Sequence, residues 1–298
     1  MAGTDLWTVQ KLLRWTIPYF QKHHIEEARL DAELLLAHVL GKPRIYLYTN
    51  YDQMMNREEL ARFKALIKQR VDGCCTAVLI GTKEFMGIPF KVNAHVLVPR
   101  PDTEAWVEKI IQEFRPVPDI EMADLCTGSG AIAVSFLSFC KSARAVAIDI
   151  SPEALQVARE NGESAGVSGR IEFREGDLLG ALKEGERFDV ILTNPPYIPE
   201  GDIDSLAAEV RHEPRIALSG GSDGLDFYRR LAEGVVPFLK PGGLLAAEVG
   251  MGQAEAVKAL FAAAGLTGMD TIKDYGGIDR AVCGRRPAAA DEAEKKDL

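Results

Sequence analysis

Four consecutive residues near the middle of the chain, Asn194, Pro195, Pro196 and Tyr197, are of types that can bind a planar amino group. They follow the mostly apolar run 188–193, which predicts a buried strand that ends where open α/β sheets bind ligands. Proline has no backbone N–H and keeps the preceding residue extended, so nearby carbonyl oxygens stay free to accept hydrogen bonds. Asn194 adds an amide oxygen and Tyr197 a flat ring. The pattern indicates methyl transfer to an –NH2 group, and the alternative is a proline-rich turn that only caps the strand.

A second group of polar and small residues follows the predicted strand 121–125. It consists of Asp124, Cys126, Thr127, Gly128, Ser129 and Gly130. Glycines let the backbone approach a ligand without interference from a Cβ atom. The apolar helix that follows would offer unpaired N–H groups at its N-terminus. Such a loop is a weak signal alone, because nicotinamide dinucleotides use the same half of the fold, although the full G-x-G-x-x-G spacing is missing here.

Two carboxylates after the next two predicted strands strengthen this signal. Asp149 lies 19 positions after Gly130, about the spacing at which a carboxylate accepts ribose hydroxyls in nucleotide-binding α/β folds. Asp177 would accept a hydrogen bond from an adenine amino group, with Leu178 beside the ring. Taken alone, Asp149 is equally well explained as a helix-capping or surface carboxylate. Together with the loop and Asn194, these residues predict a site for S-adenosylmethionine, with Asp124 near its ammonium group.

The pattern of elements predicts four segments. Residues 1–76 read as a helical bundle that recognises or packs on a partner, with a C-cap at Gly41 and an N-cap at Asn56. Residues 77–98 read as a β-hairpin linker with short strands at 77–80, 85–92 and 96–98. Residues 99–286 open with a helix capped by Asp102 or Thr103 and then alternate strand and helix, which predicts a mostly parallel sheet covered on both faces. Residues 287–298 are predicted to be disordered.

Composition narrows the classes of function. The net charge is −9 and the acidic excess falls after residue 80, whereas proteins that hold duplex DNA usually carry a basic stripe. We therefore expect a protein or small-molecule substrate rather than nucleic acid. No signal peptide or run of about 18 apolar residues is present, which predicts a cytoplasmic protein without membrane spans. The five cysteines and five histidines form no ligand pattern, so no metal site is expected, and His95 and His212 are interpreted as surface or capping residues.

At this point the sequence resembles the HemK/PrmC family of protein-(glutamine-N5) methyltransferases, which act on peptide chain release factors. The resemblance covers nearly the whole chain and is carried by residues 81–90, 96–104, 124–130 and 194–197, Glu213-Pro214, Ala217-Leu218 and Asp279-Arg280. It implies a class I, Rossmann-like methyltransferase fold with an antiparallel final strand. It also implies S-adenosylmethionine as methyl donor and the glutamine of a Gly-Gly-Gln loop as acceptor.

Two positions depart from the family pattern. Cys126 stands where the family usually has glycine, and we expect the change to be harmless on the interpretation that the backbone there does not need positive φ. Leu178 stands where an aromatic ring often packs on the adenine. Arg100 and Glu104 are interpreted as a structural ion pair, with a place at the substrate entrance as the alternative.

Two rival functions remain at this stage. Adenine N6 is also a planar amino group, so a nucleic-acid adenine methyltransferase would use the same motif, although the acidic balance and the lack of an evident target-recognition domain count against it. The other rival is a catalytically idle scaffold that binds S-adenosylmethionine and a partner. Intact Asn194, Asp149 and Asp177 disfavour the scaffold.

Overall fold

The computed structural model describes residues 7–288, which divide into two units. One unit contains the chain up to Thr82 together with the inserted segment Ala207–His212, and the other contains Lys83–Leu206 and the chain from Glu213 onward. The predicted disordered tail lies, from residue 289, outside the described residues. Within residues 7–288, no helix is long and apolar enough to cross a membrane.

The first unit is helical, as the sequence predicted. Its helices are α1 (Val9–Lys22), α2 (Ala28–Leu40), α3 (Ile45–Thr49), α4 (Arg57–Val71), α5 (Thr76–Ile80) and, from the inserted segment, α9 (Ala208–Arg211). The two predicted caps are confirmed. Gly41 ends α2 with a left-handed φ of 62°, and Asn56 begins α4 with a capping box in which its side chain and that of Glu59 each accept the other residue's N–H.

A buried arginine holds the inserted segment in this unit. The Arg70 guanidinium on α4 is 2.7 Å from a carboxylate oxygen of Asp31 on α2 and 2.7 Å from one of Glu209 on α9. Because Arg70 and Asp31 are both nearly inaccessible, loss of Arg70 would leave the buried carboxylate of Asp31 without its compensating charge. His212, at the end of the segment, is exposed as predicted.

The linker contains one hairpin, formed by β1 (Thr82–Phe85) and β2 (Ile88–Lys91). The run 85–92, predicted as one strand, is divided by a turn at residues 86–87. The strands predicted at 77–80 and 96–98 are wrong. The first of these runs is the short helix α5, which ends at Gly81 with a φ of 83°, and residues 96–98 form no regular element. Four or five apolar residues fit a buried helix turn as well as a strand, so periodicity alone does not separate them.

The second unit is built on a seven-stranded sheet with strand order β5-β4-β3-β6-β7-β9-β8. The strands are β3 (Glu121–Leu125), β4 (Arg144–Asp149), β5 (Ile171–Glu175), β6 (Phe188–Thr193), β7 (Leu239–Glu248), β8 (Thr267–Lys273) and β9 (Asp279–Arg285). Neighbours from β5 to β7 pair in parallel, while β9 pairs antiparallel with both β7 and β8. This confirms the Rossmann-like methyltransferase fold with its antiparallel final strand.

Helices cover both faces of this sheet. They are α6 (Pro101–Phe114), α7 (Ala131–Phe139), α8 (Pro152–Ser164), α10 (Asp226–Gly234) and α11 (Ala254–Ala263). Successive strand residues point to opposite faces. Accordingly Met122 on β3 joins the core with Trp106 and Phe136, whereas Ala123 joins the core with Tyr228 and Phe261.

The predicted cap of α6 is wrong by two or three positions. Pro101 is the first helical residue and Arg100 is the N-cap. Proline suits the first helical position, because its missing N–H would have no partner there in any case. As a result Thr103 lies inside the first turn, and its side chain is buried.

Candidate active site

The loop after β3 has the shape of a ligand cradle. Gly128 has a φ of 56°, and a Cβ atom built on it would have no atom within 4 Å, so the space beside it is open. Gly130 has a φ of 80°, and a Cβ there would lie 3.1 Å from the Cβ of Ala158. Glycine is therefore needed at 130 for packing and at 128 for its left-handed backbone.

The loop offers fewer free N–H groups than the sequence suggested. The amides of Thr127, Gly128 and Gly130 donate to the Ile148 carbonyl at 2.9 Å, the Asp149 carboxylate at 2.8 Å and the Thr127 carbonyl at 2.8 Å, respectively. The loop would therefore help to bind a ligand through its shape more than through free N–H donors.

Asp124 lies beneath this loop. One of its carboxylate oxygens accepts hydrogen bonds from the Thr127 hydroxyl at 2.6 Å and the Ala133 N–H at 3.1 Å. The other oxygen has no hydrogen-bond partner among residues 7–288. Burial raises the pKa of Asp124 to about 7. The side chain is fully buried and does not line the cavity described below, so its placement favours holding the loop over the predicted contact with a ligand's ammonium group.

The expectation that position 126 does not need positive φ is wrong. Cys126 has a φ of 60°, in the left-handed region where a side chain is strained. Burial raises the pKa of its thiol, which keeps it protonated. Leu178, the other departure from the family pattern, also has a left-handed φ, of 49°. Both departures therefore carry backbone strain.

The strain at Cys126 should be measurable as a difference in stability between two variants at this position. Cys126→Gly should unfold at higher urea concentration than Cys126→Ala, by a free energy of unfolding of about 1–2 kcal/mol, because both lose the thiol but only glycine relieves the left-handed backbone. Urea unfolding followed by circular dichroism measures the difference. Equal stability of the two variants would contradict a strained backbone at this position.

Asp149 ends β4 and presents an oriented carboxylate. One oxygen accepts the Gly128 N–H at 2.8 Å and the other accepts the Ser151 N–H at 3.0 Å. Ser151 in turn caps α8 by accepting the Ala154 N–H. Each carboxylate oxygen keeps a further lone pair, so the group can still accept two hydroxyls of a ribose.

The far end of the cavity combines apolar and charged side chains. Leu178 and Phe227 line it, and the Arg230 guanidinium lies 5.6 Å from the centre of the Phe227 ring. Arg230 also forms an ion pair with Asp177 at 2.7 Å, through one carboxylate oxygen. The sequence did not single out Phe227 or Arg230. They lie on α10, far along the chain from Asp177, and no local pattern marks them.

The Asn-Pro-Pro-Tyr motif follows β6 directly, as predicted. Asn194 and Pro196 line the cavity, whereas Pro195 and Tyr197 do not. Two residues outside the motif contact its main chain at the Tyr197 carbonyl. The Gln253 side chain donates to the Tyr197 carbonyl at 2.9 Å, and a Cβ atom on Gly224 would lie 2.3 Å from that same oxygen. We call Gln253 and Gly224 the motif clamp.

Gly224→Ala is expected to damage both stability and turnover. The new methyl group would clash with the Tyr197 carbonyl, and alanine would be strained at the left-handed φ of 78° that residue 224 adopts. We expect the free energy of unfolding to fall by about 2–4 kcal/mol. Gly252→Ala is the matched control, since Gly252 has a φ of 84° but open space around it, and should lose only about 1 kcal/mol. Urea unfolding and a methyl-transfer assay measure the two effects. Indistinguishable variants would contradict a tight clamp.

A buried carboxylate lies behind Asn194. Glu248, the last residue of β7, accepts hydrogen bonds from the Thr103 hydroxyl at 2.6 Å and the Trp106 indole N–H at 2.9 Å on one oxygen, and from the Tyr197 hydroxyl at 3.3 Å on the other. Burial raises the pKa of Glu248. The amide nitrogen of Asn194 lies 3.4 Å from the Thr103 hydroxyl oxygen. In the sequence, the signal for this group is an acid that directly follows the apolar run 244–247.

The predicted Arg100–Glu104 ion pair is wrong. Arg100 pairs with Glu213 at 2.6 Å, and Glu104 accepts the Met86 N–H at 3.0 Å. Arg100 lines the cavity, as does the exposed His95. The alternative, a place for Arg100 at the edge of the site, therefore fits the geometry better.

One cavity of about 240 Å³ gathers most of the predicted site residues. Those that line it are Cys126, Thr127, Gly128, Ser129, Asp149, Asp177, Leu178, Asn194 and Pro196, while Asp124, Gly130, Pro195 and Tyr197 lie outside its lining. The open space beside Gly128 and the oriented carboxylate of Asp149 fit a nucleoside with an extended arm. In the described part of the chain, no cluster of His, Cys, Asp or Glu could hold a metal ion.

Comparison with solved structures supports the fold. The catalytic domain of hMettl16, solved in complex with the MAT2A 3'UTR hairpin 6, matches with a TM-score of 0.54 at 14% identity over 73% of this chain and 81% of that one. A methyltransferase from Pyrococcus furiosus matches with a TM-score of 0.50 at 18% identity over 68% of this chain and 90% of that one. At these identities the likeness shows the fold alone.

Comparison with sequences shows the family. The PrmC N-terminal domain model matches residues 11–81, and the methyltransferase small domain model matches residues 103–221. The release factor glutamine methyltransferase of Geobacter sulfurreducens is 42% identical over 94% of this chain and 98% of its own length. That of Moorella thermoacetica is 42% identical over 86% of this chain and 90% of its own length. The chain belongs to the family of release factor glutamine methyltransferases.

Proposed function

We propose that this protein transfers a methyl group from S-adenosylmethionine to the side-chain amide nitrogen of the glutamine in the Gly-Gly-Gln loop of peptide chain release factors. The observation that carries the proposal is that Asn194 and Asp149, the acceptor-site and cofactor-site candidates, line the same cavity in a chain of this family. Family membership favours a glutamine amide over adenine as the planar amino group. Because release factors act on ribosomes, the proposed reaction belongs in the cytoplasm.

The cofactor would lie along the carboxyl ends of three neighbouring strands. Asp149 would accept the ribose hydroxyls, and Leu178 and Phe227 would contact the adenine. Asp177 has one carboxylate oxygen engaged by Arg230, which leaves the other to accept the adenine amino group. The residues Thr127, Gly128 and Ser129 would lie against the amino-acid arm, and Asp124 would act indirectly by fixing Thr127.

The acceptor nitrogen is a poor nucleophile, because the lone pair of an amide is delocalised into its carbonyl group. S-adenosylmethionine supplies an electrophilic methyl group on a positively charged sulfur. The Asn194 amide oxygen, which lines the cavity, and the Pro195 carbonyl, which lies just outside its lining, would accept the two N–H bonds of the glutamine and hold its nitrogen in line with that methyl group. The same two acceptors stabilise the positive charge that develops on nitrogen.

The bond changes balance without a dedicated base. The nitrogen lone pair forms the N–C bond while the C–S bond breaks and its electron pair returns to sulfur, which yields S-adenosylhomocysteine. The methylated amide is strongly acidic and releases its proton to solvent. Tyr197 would support the geometry through its ring, held in place by the hydrogen bond from its hydroxyl to Glu248.

The test is methyl transfer from labelled S-adenosylmethionine to a purified release factor, beside a release factor whose Gly-Gly-Gln glutamine is replaced by alanine. We expect label on the first and none on the second. Equal label on both would contradict the proposed acceptor. Label on duplex DNA or RNA but on neither protein would instead support the adenine methyltransferase. Cofactor binding with no transfer to any acceptor would support the idle scaffold.

A further inference from the structure

We infer that Thr103 is a positioning residue that, together with Glu248, fixes which end of the Asn194 amide faces the acceptor. The inference rests on the proposed function, because it concerns the same amide oxygen. An asparagine side chain keeps its shape when its amide turns by 180°, so shape alone does not place the oxygen correctly. In the reversed orientation the –NH2 group of Asn194 would meet the –NH2 group of the substrate, and neither could accept a hydrogen bond from the other.

The direction of hydrogen bonding is set at Glu248. The indole of Trp106 can only donate, and it lies 2.9 Å from the same carboxylate oxygen that lies 2.6 Å from the Thr103 hydroxyl. That oxygen is therefore an acceptor. The single proton of the Thr103 hydroxyl is directed to it, in a bond short enough to be charge-assisted.

The Thr103 oxygen is then left with lone pairs only. The Asn194 group 3.4 Å away must consequently be the donor, which is its nitrogen. The oxygen of the amide is thereby the end left for the cavity, which Thr103 and Asn194 both line. Thus a buried carboxylate on β7 determines, through one hydroxyl, the chemistry of a side chain after β6.

The same chain of bonds strengthens the acceptor. Hydrogen bonds in series polarise one another, so the negative charge of Glu248 increases the electron density on the Asn194 oxygen. Burial raises the pKa of Glu248, and the three donors, from Thr103, Trp106 and Tyr197, oppose that shift and favour the charged carboxylate. More charge on that oxygen favours the transition state, in which the substrate nitrogen becomes positive.

The experiment compares three variants with the full-length wild-type protein. Thr103→Val removes the hydroxyl at nearly constant shape, and Thr103→Ser keeps it. Tyr228→Phe is the control, because the Tyr228 hydroxyl donates to the backbone carbonyl of Glu248 at 2.7 Å and takes no part in the path to Asn194. We expect Thr103→Val to lower kcat about 10- to 30-fold with an unchanged KM for S-adenosylmethionine, since one oriented hydrogen bond is lost.

The other two variants separate positioning from a purely structural role. Thr103→Ser should restore kcat to within about threefold of wild type, and Tyr228→Phe should stay there even though it loses a buried hydrogen bond. A Thr103→Val enzyme with wild-type kcat would overturn the inference. So would a loss that Thr103→Ser does not repair or that Tyr228→Phe shares.

A readout without catalysis keeps this inference separate from the proposed function. In protein labelled with nitrogen-15 at asparagine, the side-chain amide signal of Asn194 is identified by its disappearance in Asn194→Ala. We expect Thr103→Val to shift this signal and to speed its hydrogen exchange, while Thr103→Ser and Tyr228→Phe leave both unchanged. An unmoved signal overturns the inference even if the wild-type enzyme methylates its substrate. A moved signal supports it even if release factors prove not to be the substrate.

Discussion

Replacing Asn194 by alanine is expected to lower the rate of methyl transfer about 100- to 1000-fold, the cost of removing one oriented group that stabilises transition-state charge. The affinity for S-adenosylmethionine should change only slightly, because Asp149 and the loop after β3 remain. Single-turnover transfer of label measures the rate, and isothermal titration calorimetry measures the affinity. Equal losses of turnover and of cofactor binding would contradict this division of roles.

Asn161→Ala is the control for Asn194→Ala, because it also removes an asparagine side chain with little exposure. The Asn161 amide donates to the Ser129 carbonyl at 2.8 Å and to the Lys91 carbonyl at 3.0 Å, and it does not line the cavity. We expect this variant to lose stability and cofactor affinity while its turnover at saturating cofactor falls far less than that of Asn194→Ala. A larger loss of turnover in Asn161→Ala than in Asn194→Ala would contradict a catalytic role for Asn194.

Replacing Asp149 by alanine is expected to weaken S-adenosylmethionine binding by at least about 100-fold. Two hydrogen bonds to a charged carboxylate are lost, each contributing about 1.5–3 kcal/mol. The N–H groups of Gly128 and Ser151 also lose their acceptor, so the loop after β3 is less ordered. Calorimetry measures the dissociation constant.

Asp149→Asn separates the charge from the shape. The amide keeps one acceptor oxygen and should therefore bind the cofactor with an affinity between those of wild type and alanine. Both variants should regain much of their turnover at very high cofactor concentration, because Asn194 is intact. Unchanged affinity in Asp149→Ala would move the ribose site to another carboxylate.

The sequence predicted the parallel sheet and the placement of the motifs well, for a local reason. The runs that became β3, β4 and β6 are rich in apolar residues, and the carboxyl ends of parallel strands meet at one edge. The sequence alone therefore assigns Asp149 and Asn194 to the same edge. Their individual roles are predictions that the Asn194 and Asp149 variants test.

What the sequence did not predict depends on distant partners. Thr103 was interpreted as a cap because nothing near it in sequence marks Glu248, which lies at the end of another strand. Cys126 was expected to be unstrained because a residue type does not report its φ. Arg100 was paired with a neighbour in sequence, whereas its partner Glu213 lies more than a hundred positions away.

The motif clamp has a consequence for attempts to retarget the enzyme. The Gln253 side chain donates a hydrogen bond to the Tyr197 carbonyl, and Gly224 packs closely against the same oxygen. These contacts restrain the main chain of the motif, so it cannot rearrange around an acceptor of different shape. New specificity must therefore come from the rim of the cavity, where Ile216 is 57% exposed. A library restricted to such rim positions would vary what is methylated and leave the machinery of methylation unaltered.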